Sequence, residues 1–177
     1  MEQKDFIKAF KKRGMIALEN EEPFEAYIYL WLAFLQSCAP DNVSRITSDR
    51  NDIIKPWNIR NFQRVNDLLR NTKLKSNLDW LSKRQEGCII NPEGRHEKDI
   101  NRFKLLSSKI RGSYDLFHRP KDISYALLDL CLCVRNNLFH GGKSFYDYNE
   151  RQLLKNLCPI LISLIEINMP PLRNVSE

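Results

Sequence analysis

Arg135, Asn136 and His140, in the run Arg135-Asn136-Asn137-Leu138-Phe139-His140, bring together a permanent cation, an amide and an imidazole that titrates near neutral pH. Gly141-Gly142 follow at once, a pair that can take the left-handed conformation that ends a helix. These are the groups that a phosphodiester calls for. Cleaving RNA through its own 2′-OH requires a group that takes the 2′ proton or protonates the departing 5′ oxygen, and a cation for the charge on the phosphoryl oxygens. His140 suits the first role, and the negative end of a helix dipole biases it towards acid or charge-stabilising work. Arg135 suits the second, because its guanidinium stays protonated and holds two phosphate oxygens at once. Asn136 would orient His140 or the phosphate, and Lys143 would add a phosphate contact; nothing in this chemistry calls for a metal or another cofactor.

The same residues also fit a purely structural role, with Arg135 paired to a nearby carboxylate and His140 satisfying the last carbonyls of a helix. Other motifs fail on spacing. Gly142-Lys143-Ser144 looks like the end of a phosphate-binding loop, but Asn137 stands where its first glycine belongs and the preceding element is a helix. His96, His118 and His140 are far apart and lack paired cysteines or carboxylates at metal-ligand spacing. Cys131 and Cys133 point to different sides of a helix, and no Cys-His nucleophile is supported.

The elements that must position these residues read as helices. Phe6, Ile7, Phe10, Met15 and Leu18 recur at helical spacing, and a second helix opens near Pro23 with its body at residues 24–39. The stretch from Tyr27 to Phe34 is apolar all round, the mark of a helix buried between neighbours or at a subunit contact. Residues 41–56 read as a loop with a short helical or extended entry into the next element, a helix over 58–70 with the inner stripe Phe62, Val65, Leu68 and Leu69. Leu74, Leu78, Trp80 and Leu81 predict a short helix, residues 86–94 a loop, and 98–110 a basic helix. The motif helix begins at 120–122 and presents Ile123, Leu127, Leu130, Val134 and Leu138 to the core. A last helix spans 148–167 and stops before Pro170-Pro171. With no convincing strand pattern and no repeat, the fold class is all-α, a bundle of about five to seven helices.

On an ideal helix with about 100° per residue, Asn136 and His140 lie roughly 40° apart while Arg135 and His140 lie about 140° apart. One straight helix therefore does not aim all three at one point. Either the last turn before Gly141 unwinds, or two copies of the segment face each other.

The chain's 177 residues suit one domain, and 42% hydrophobic with 28% charged residues is the composition of a globular protein. The net charge of +6 is concentrated: 55–84 holds eight basic residues against two acidic ones, and 95–121 holds eight against three. Such stretches are either solvated helix faces or surfaces that meet phosphates. Five cysteines, Cys38, Cys88, Cys131, Cys133 and Cys158, form no C-x-x-C pair and read as reduced core residues. No apolar run is long enough for a signal peptide or a membrane span, so the expected compartment is the cytoplasm.

The spacing of Arg135, the polar Asn136 and His140, with the helices flanking it, resembles the signature of the HEPN superfamily of all-helical RNA-cleaving and nucleotide-binding domains. The aromatic-rich helix at 24–39 is similar to the first helix of many such domains. The resemblance covers residues 125–164 most specifically, and it leaves 41–121 as an extended helical and loop insertion within one domain spanning 1–177. It implies a homodimer with a composite site built from two motifs, and metal-independent endoribonuclease activity giving a 2′,3′-cyclic phosphate and a 5′-hydroxyl. By analogy it further implies a toxin or defence effector with a cognate antitoxin or inhibitor protein. The alternatives are a non-catalytic HEPN module that binds a nucleotide, RNA or protein, and a structural helical adaptor.

Overall fold

The apolar run after Pro23 becomes the helix around which the others gather. In the computed structural model, which describes residues 3–39, 48–70, 72–83, 120–139 and 147–169, α2 spans Pro23–Cys38 and buries Phe24, Ala26, Tyr27, Leu30, Trp31, Ala33, Phe34 and Cys38. Leu32 alone among its large apolar residues is exposed by more than a third. Helix α1, Gln3–Glu19, lies along α2. The two backbones meet closely at Gly14, where an added Cβ would fall 2.6 Å from Leu30 Cγ and 3.1 Å from the Ala26 carbonyl oxygen.

The turn between them closes with the Glu22 N–H donating to the Ala17 oxygen at 2.8 Å and the Glu21 N–H to the Leu18 oxygen at 3.2 Å. This is the bonding of a Schellman stop, but Glu21 rather than glycine holds the left-handed position, at φ 60°.

A six-residue π-helical turn, Asp49–Ile54, leads without a break into α3, Lys55–Leu69. Ser48 starts it reciprocally: its Oγ accepts from the Asn51 N–H at 3.3 Å and its own N–H donates to Asp52 Oδ2 at 2.8 Å. The sequence places the start of α3 at Asn58, three residues late, because Pro56 reads as loop; a proline in the first turn lacks only a donor that has no partner there. Trp57, Val65, Leu68 and Leu69 are buried, Phe62 only partly, and Lys55, Arg60, Arg64 and Arg70 are exposed. A short 3₁₀ turn, Thr72–Leu74, precedes α4, Lys75–Lys83.

The motif helix is α5, Pro120–Phe139, and the last helix is α6, Tyr148–Asn168, opened by Asp147 Oδ1 accepting from the Glu150 N–H at 3.0 Å. Pro159 sits inside α6. The described residues thus form six α-helices and no strand, as the all-α reading requires. No helix among them is long and apolar enough to cross a membrane. The basic helix expected at 98–110, the loop at 86–94, Cys88 and Pro170-Pro171 lie outside the described residues.

Packing runs from α1 to α2, from α2 to α6, from α3 to α5 and from α4 to α6. The described parts of 41–121 take part in this core: Phe34 and Trp57 meet edge to face at 5.4 Å, and Leu74, Leu78 and Leu81 are buried. One polar chain ties three helices together. Trp57 Nε1 donates to Asn168 Oδ1 at 2.8 Å, and Asn168 Nδ2 donates to Ser37 Oγ at 3.0 Å.

Because Glu21 holds a backbone region that L side chains enter only at a cost, Glu21→Gly is expected to raise stability by about 1 kcal/mol. Its ion pair with Lys155, 3.7 Å long and with Glu21 76% exposed, contributes little to offset the gain. Urea titration of the two proteins checks the sign.

Candidate functional site

Helix α5 carries Arg135 and Asn136 just past its fully buried stretch, with Leu138 beyond them still packed on the core. From Ala126 to Val134 every residue is buried, and the next two, Arg135 and Asn136, are half-buried. The helix continues through Phe139, so the last turn does not unwind before that residue. His140 and Lys143, with Gly141-Gly142, lie outside the described residues.

The Arg135 side chain is 34% exposed, and its guanidinium lies between two oxygens. Nη1 donates to Asn136 Oδ1 at 2.9 Å, while Nη2 stands 3.4 Å from Asp49 Oδ2 on the π-helical turn. Asp49 is itself 22% exposed. The Asn136 side-chain oxygen thus holds the guanidinium; its expected role of orienting His140 or the phosphate involves a residue outside the described ones. The carboxylate that a structural role for Arg135 calls for is also present, but the pair sits at the surface and not within the core. Arg135 thus has internal partners and a solvent-facing side at once.

The neighbouring residue on the same turn makes a second contact to α5. Arg50 Nη2 lies 2.7 Å from Asp129 Oδ1, and the Asp129 side chain is 9% exposed. Two adjacent residues of opposite charge, Asp49 and Arg50, thus reach two residues of α5 of opposite charge. A one-residue slip of the turn would break both pairs together. From the other side, the buried Tyr27 hydroxyl donates to the Cys131 carbonyl at 2.7 Å. In an α-helix that carbonyl is also the acceptor for the N–H of Arg135, so α2 bonds to the backbone directly beneath the motif.

Asp49, Arg50 and Tyr27 were not singled out by the sequence. For Arg50 a signal existed: Asp129 is the lone charge in the apolar run of α5, and a carboxylate there needs a cation. For Asp49 and Tyr27 no pattern pointed across so many residues.

Among the described residues no cysteine presents an exposed thiol. Cys38, Cys131, Cys133 and Cys158 are buried and unbridged. Burial pushes the Cys131 thiol up to about 12 and drives Cys38 and Cys158 higher still, so these three stay protonated at ordinary pH.

Comparison of the chain with family models, with curated proteins and with solved structures gives no match.

The two ion pairs should respond differently to neutralisation. Arg50→Met leaves a buried carboxylate without its cation and is expected to cost about 1–3 kcal/mol, whereas Asp49→Asn, at the longer and more exposed pair, should cost under about 1 kcal/mol. Thermal melts of both variants at neutral pH compare them. Alkylation mapped by mass spectrometry gives a separate check: in the native protein at pH 8, Cys38, Cys131 and Cys158 should stay unmodified until denaturant is added. Labelling of Cys131 in the folded state would contradict its burial.

Proposed function

We propose that the chain is a metal-independent endoribonuclease of the HEPN type, in which Arg135 and His140 act on one RNA phosphate. The observation that carries this reading is the Arg135 side chain, one-third exposed just past the fully buried stretch of α5, with its guanidinium held by Asn136 and Asp49. An arginine kept at the surface by two partners is set to receive an anion with little further ordering. A phosphate that arrives competes with Asp49 for Nη2. The existing pair is long and partly solvated, hence weak, while a phosphate offers charge-assisted bidentate bonds.

In this mechanism His140 transfers the proton: it removes one from the 2′-OH or delivers one to the departing 5′ oxygen. Arg135 stabilises the charge that gathers on the non-bridging oxygens. The 2′ oxygen attacks phosphorus, the bond to the 5′ oxygen breaks, and the products carry a 2′,3′-cyclic phosphate and a 5′-hydroxyl. Because α5 stays helical through Phe139, convergence of Arg135 with His140 depends on the chain turning just beyond that residue or on a second copy. Resemblance to HEPN domains favours the second, a homodimer with a composite cleft. A role as a toxin or defence effector, with an antitoxin to restrain it, belongs to the same proposal.

A second reading is a non-catalytic module that binds RNA, a nucleotide or a protein. It is favoured by the same engagement of Arg135 with internal partners, which suits a site that holds a phosphate without cutting it.

Incubating the purified protein with RNA, with and without a chelator, separates the two. The nuclease reading expects cleavage that survives the chelator, ends carrying cyclic phosphate, and losses of roughly 10²–10⁴-fold in His140→Ala and about 10²–10³-fold in Arg135→Ala, both variants remaining folded. RNA binding without cleavage by the wild type supports the binding module. Cleavage abolished by the chelator would falsify the metal-independent mechanism.

A further inference from the structure

Four exposed basic residues, Lys55, Arg60 and Arg64 on α3 and Arg70 at its C-cap, accompany one exposed acidic residue, Asp67. Taken at about 100° per residue, Lys55, Arg60 and Arg70 fall in the half of the helix opposite the buried Trp57, Val65 and Leu68, while Arg64 lies about 20° from Trp57, on the side that meets the end of α6. Arg60 and Arg64 are four residues apart and alike in charge, an arrangement that weakens a helix unless an anion lies across it. Ile59, 62% exposed, stands among them. Lys75, the first residue of α4 and five positions on from Arg70, is exposed as well.

The helix that carries this charge is firmly held. Asn58, almost wholly buried, accepts from the Ser124 hydroxyl at 2.6 Å and donates to the Lys121 carbonyl at 3.3 Å, which fixes α3 to the start of α5. Arg64 Nη1 donates to the Ile167 carbonyl at 3.0 Å, at the end of α6. The pairing of Asn58 with Ser124, Arg50 with Asp129 and Asp49 with Arg135 shows that this segment runs antiparallel to α5. Its first residue touches the candidate arginine, and the basic side of α3 then leads away from it for about 22 Å.

We propose that the exposed side of α3, with Lys75, is a phosphate-binding track that holds a single-stranded RNA leading to or from Arg135. The proposal rests on the nuclease reading only for its direction, because backbone binding needs no cleavage. Charge complementarity selects the occupant: a row of guanidinium and ammonium groups on a rigid helix fits a polyanion whose charges repeat along a line. Helix α1 supplies an internal comparison. Its Lys4, Lys8 and Lys12 are also exposed, but α1 packs on α2, whereas α3 packs on the motif helix.

The test uses a 2′-O-methyl RNA of roughly 12 nucleotides, which cannot be cut through its own 2′ oxygen, and fluorescence anisotropy across a salt series. The triple variant Arg60→Gln, Arg70→Gln, Lys75→Gln should bind at least about tenfold more weakly near 50 mM salt and lower the slope of log affinity against log salt by about 2. The charge-matched variant Lys4→Gln, Lys8→Gln, Lys12→Gln should remain within about twofold of wild type under the same conditions. Equal losses in both variants, loss only in the α1 variant, or no binding by the wild type overturns the track. If wild type cuts ordinary RNA while the α3 variant binds the methylated probe normally, the track fails and the nuclease stands. Track-dependent binding without any cleavage has the opposite meaning.

Discussion

Everything near the candidate site depends on how α5 is buried. From Ala126 to Val134 there is no exposed face, so the helix cannot rotate or slide without bringing apolar side chains into water or driving polar ones into the core. Burying a leucine is worth about 1.5–3 kcal/mol, and this stretch contains four of them, Leu127, Leu128, Leu130 and Leu132. The place where Arg135 emerges is therefore set by the core. The one charge within the run, Asp129, adds direction to that constraint, because its carboxylate must meet Arg50.

The supports of the motif come from distant parts of the chain. Tyr27 reaches the Cys131 carbonyl from α2, and Asp49 and Arg50 reach across from the π-helical turn. That turn is anchored in its own right by buried Ile53 and Ile54 and by its continuity with α3. Trp57, at the start of α3, packs on Phe34 and bonds to Asn168, so α2, α3 and α6 share one junction. Displacement of the turn would disturb both the core and the guanidinium, which gives the site a rigid scaffold without any bond to a ligand.

The sequence made the helices legible where apolar spacing was strong. Leu153, Leu157, Leu161 and Leu164 mark α6, and all four are buried. The run from Tyr27 to Phe34 marks a helix with neighbours on several sides, which α2 has. The start of α3 was misplaced because Pro56 reads as a breaker when taken without its place in the first turn. The π-helical turn is the helical form of the entry expected before α3, although a single turn is too short to leave a periodic trace. At the site, Arg135 and Asn136 were legible as types at a spacing, but not their mutual hydrogen bond. Nor was Asp49 legible, since a contact between residues 49 and 135 depends on two helices packing antiparallel and local pattern carries no such information.

The proposed convergence of Arg135 and His140 on one phosphate is tested most directly by the protonation of His140. Its imidazole resonances can be titrated by NMR in wild type and in Arg135→Ala, with and without a 2′-O-methyl RNA that resists cleavage. A phosphate held beside the ring favours the imidazolium, so RNA should raise the pKa of His140 in the wild type, and the rise should shrink when the guanidinium that places the phosphate is removed. A His140 pKa that RNA leaves unchanged in the wild type, although the RNA is bound, would contradict the account.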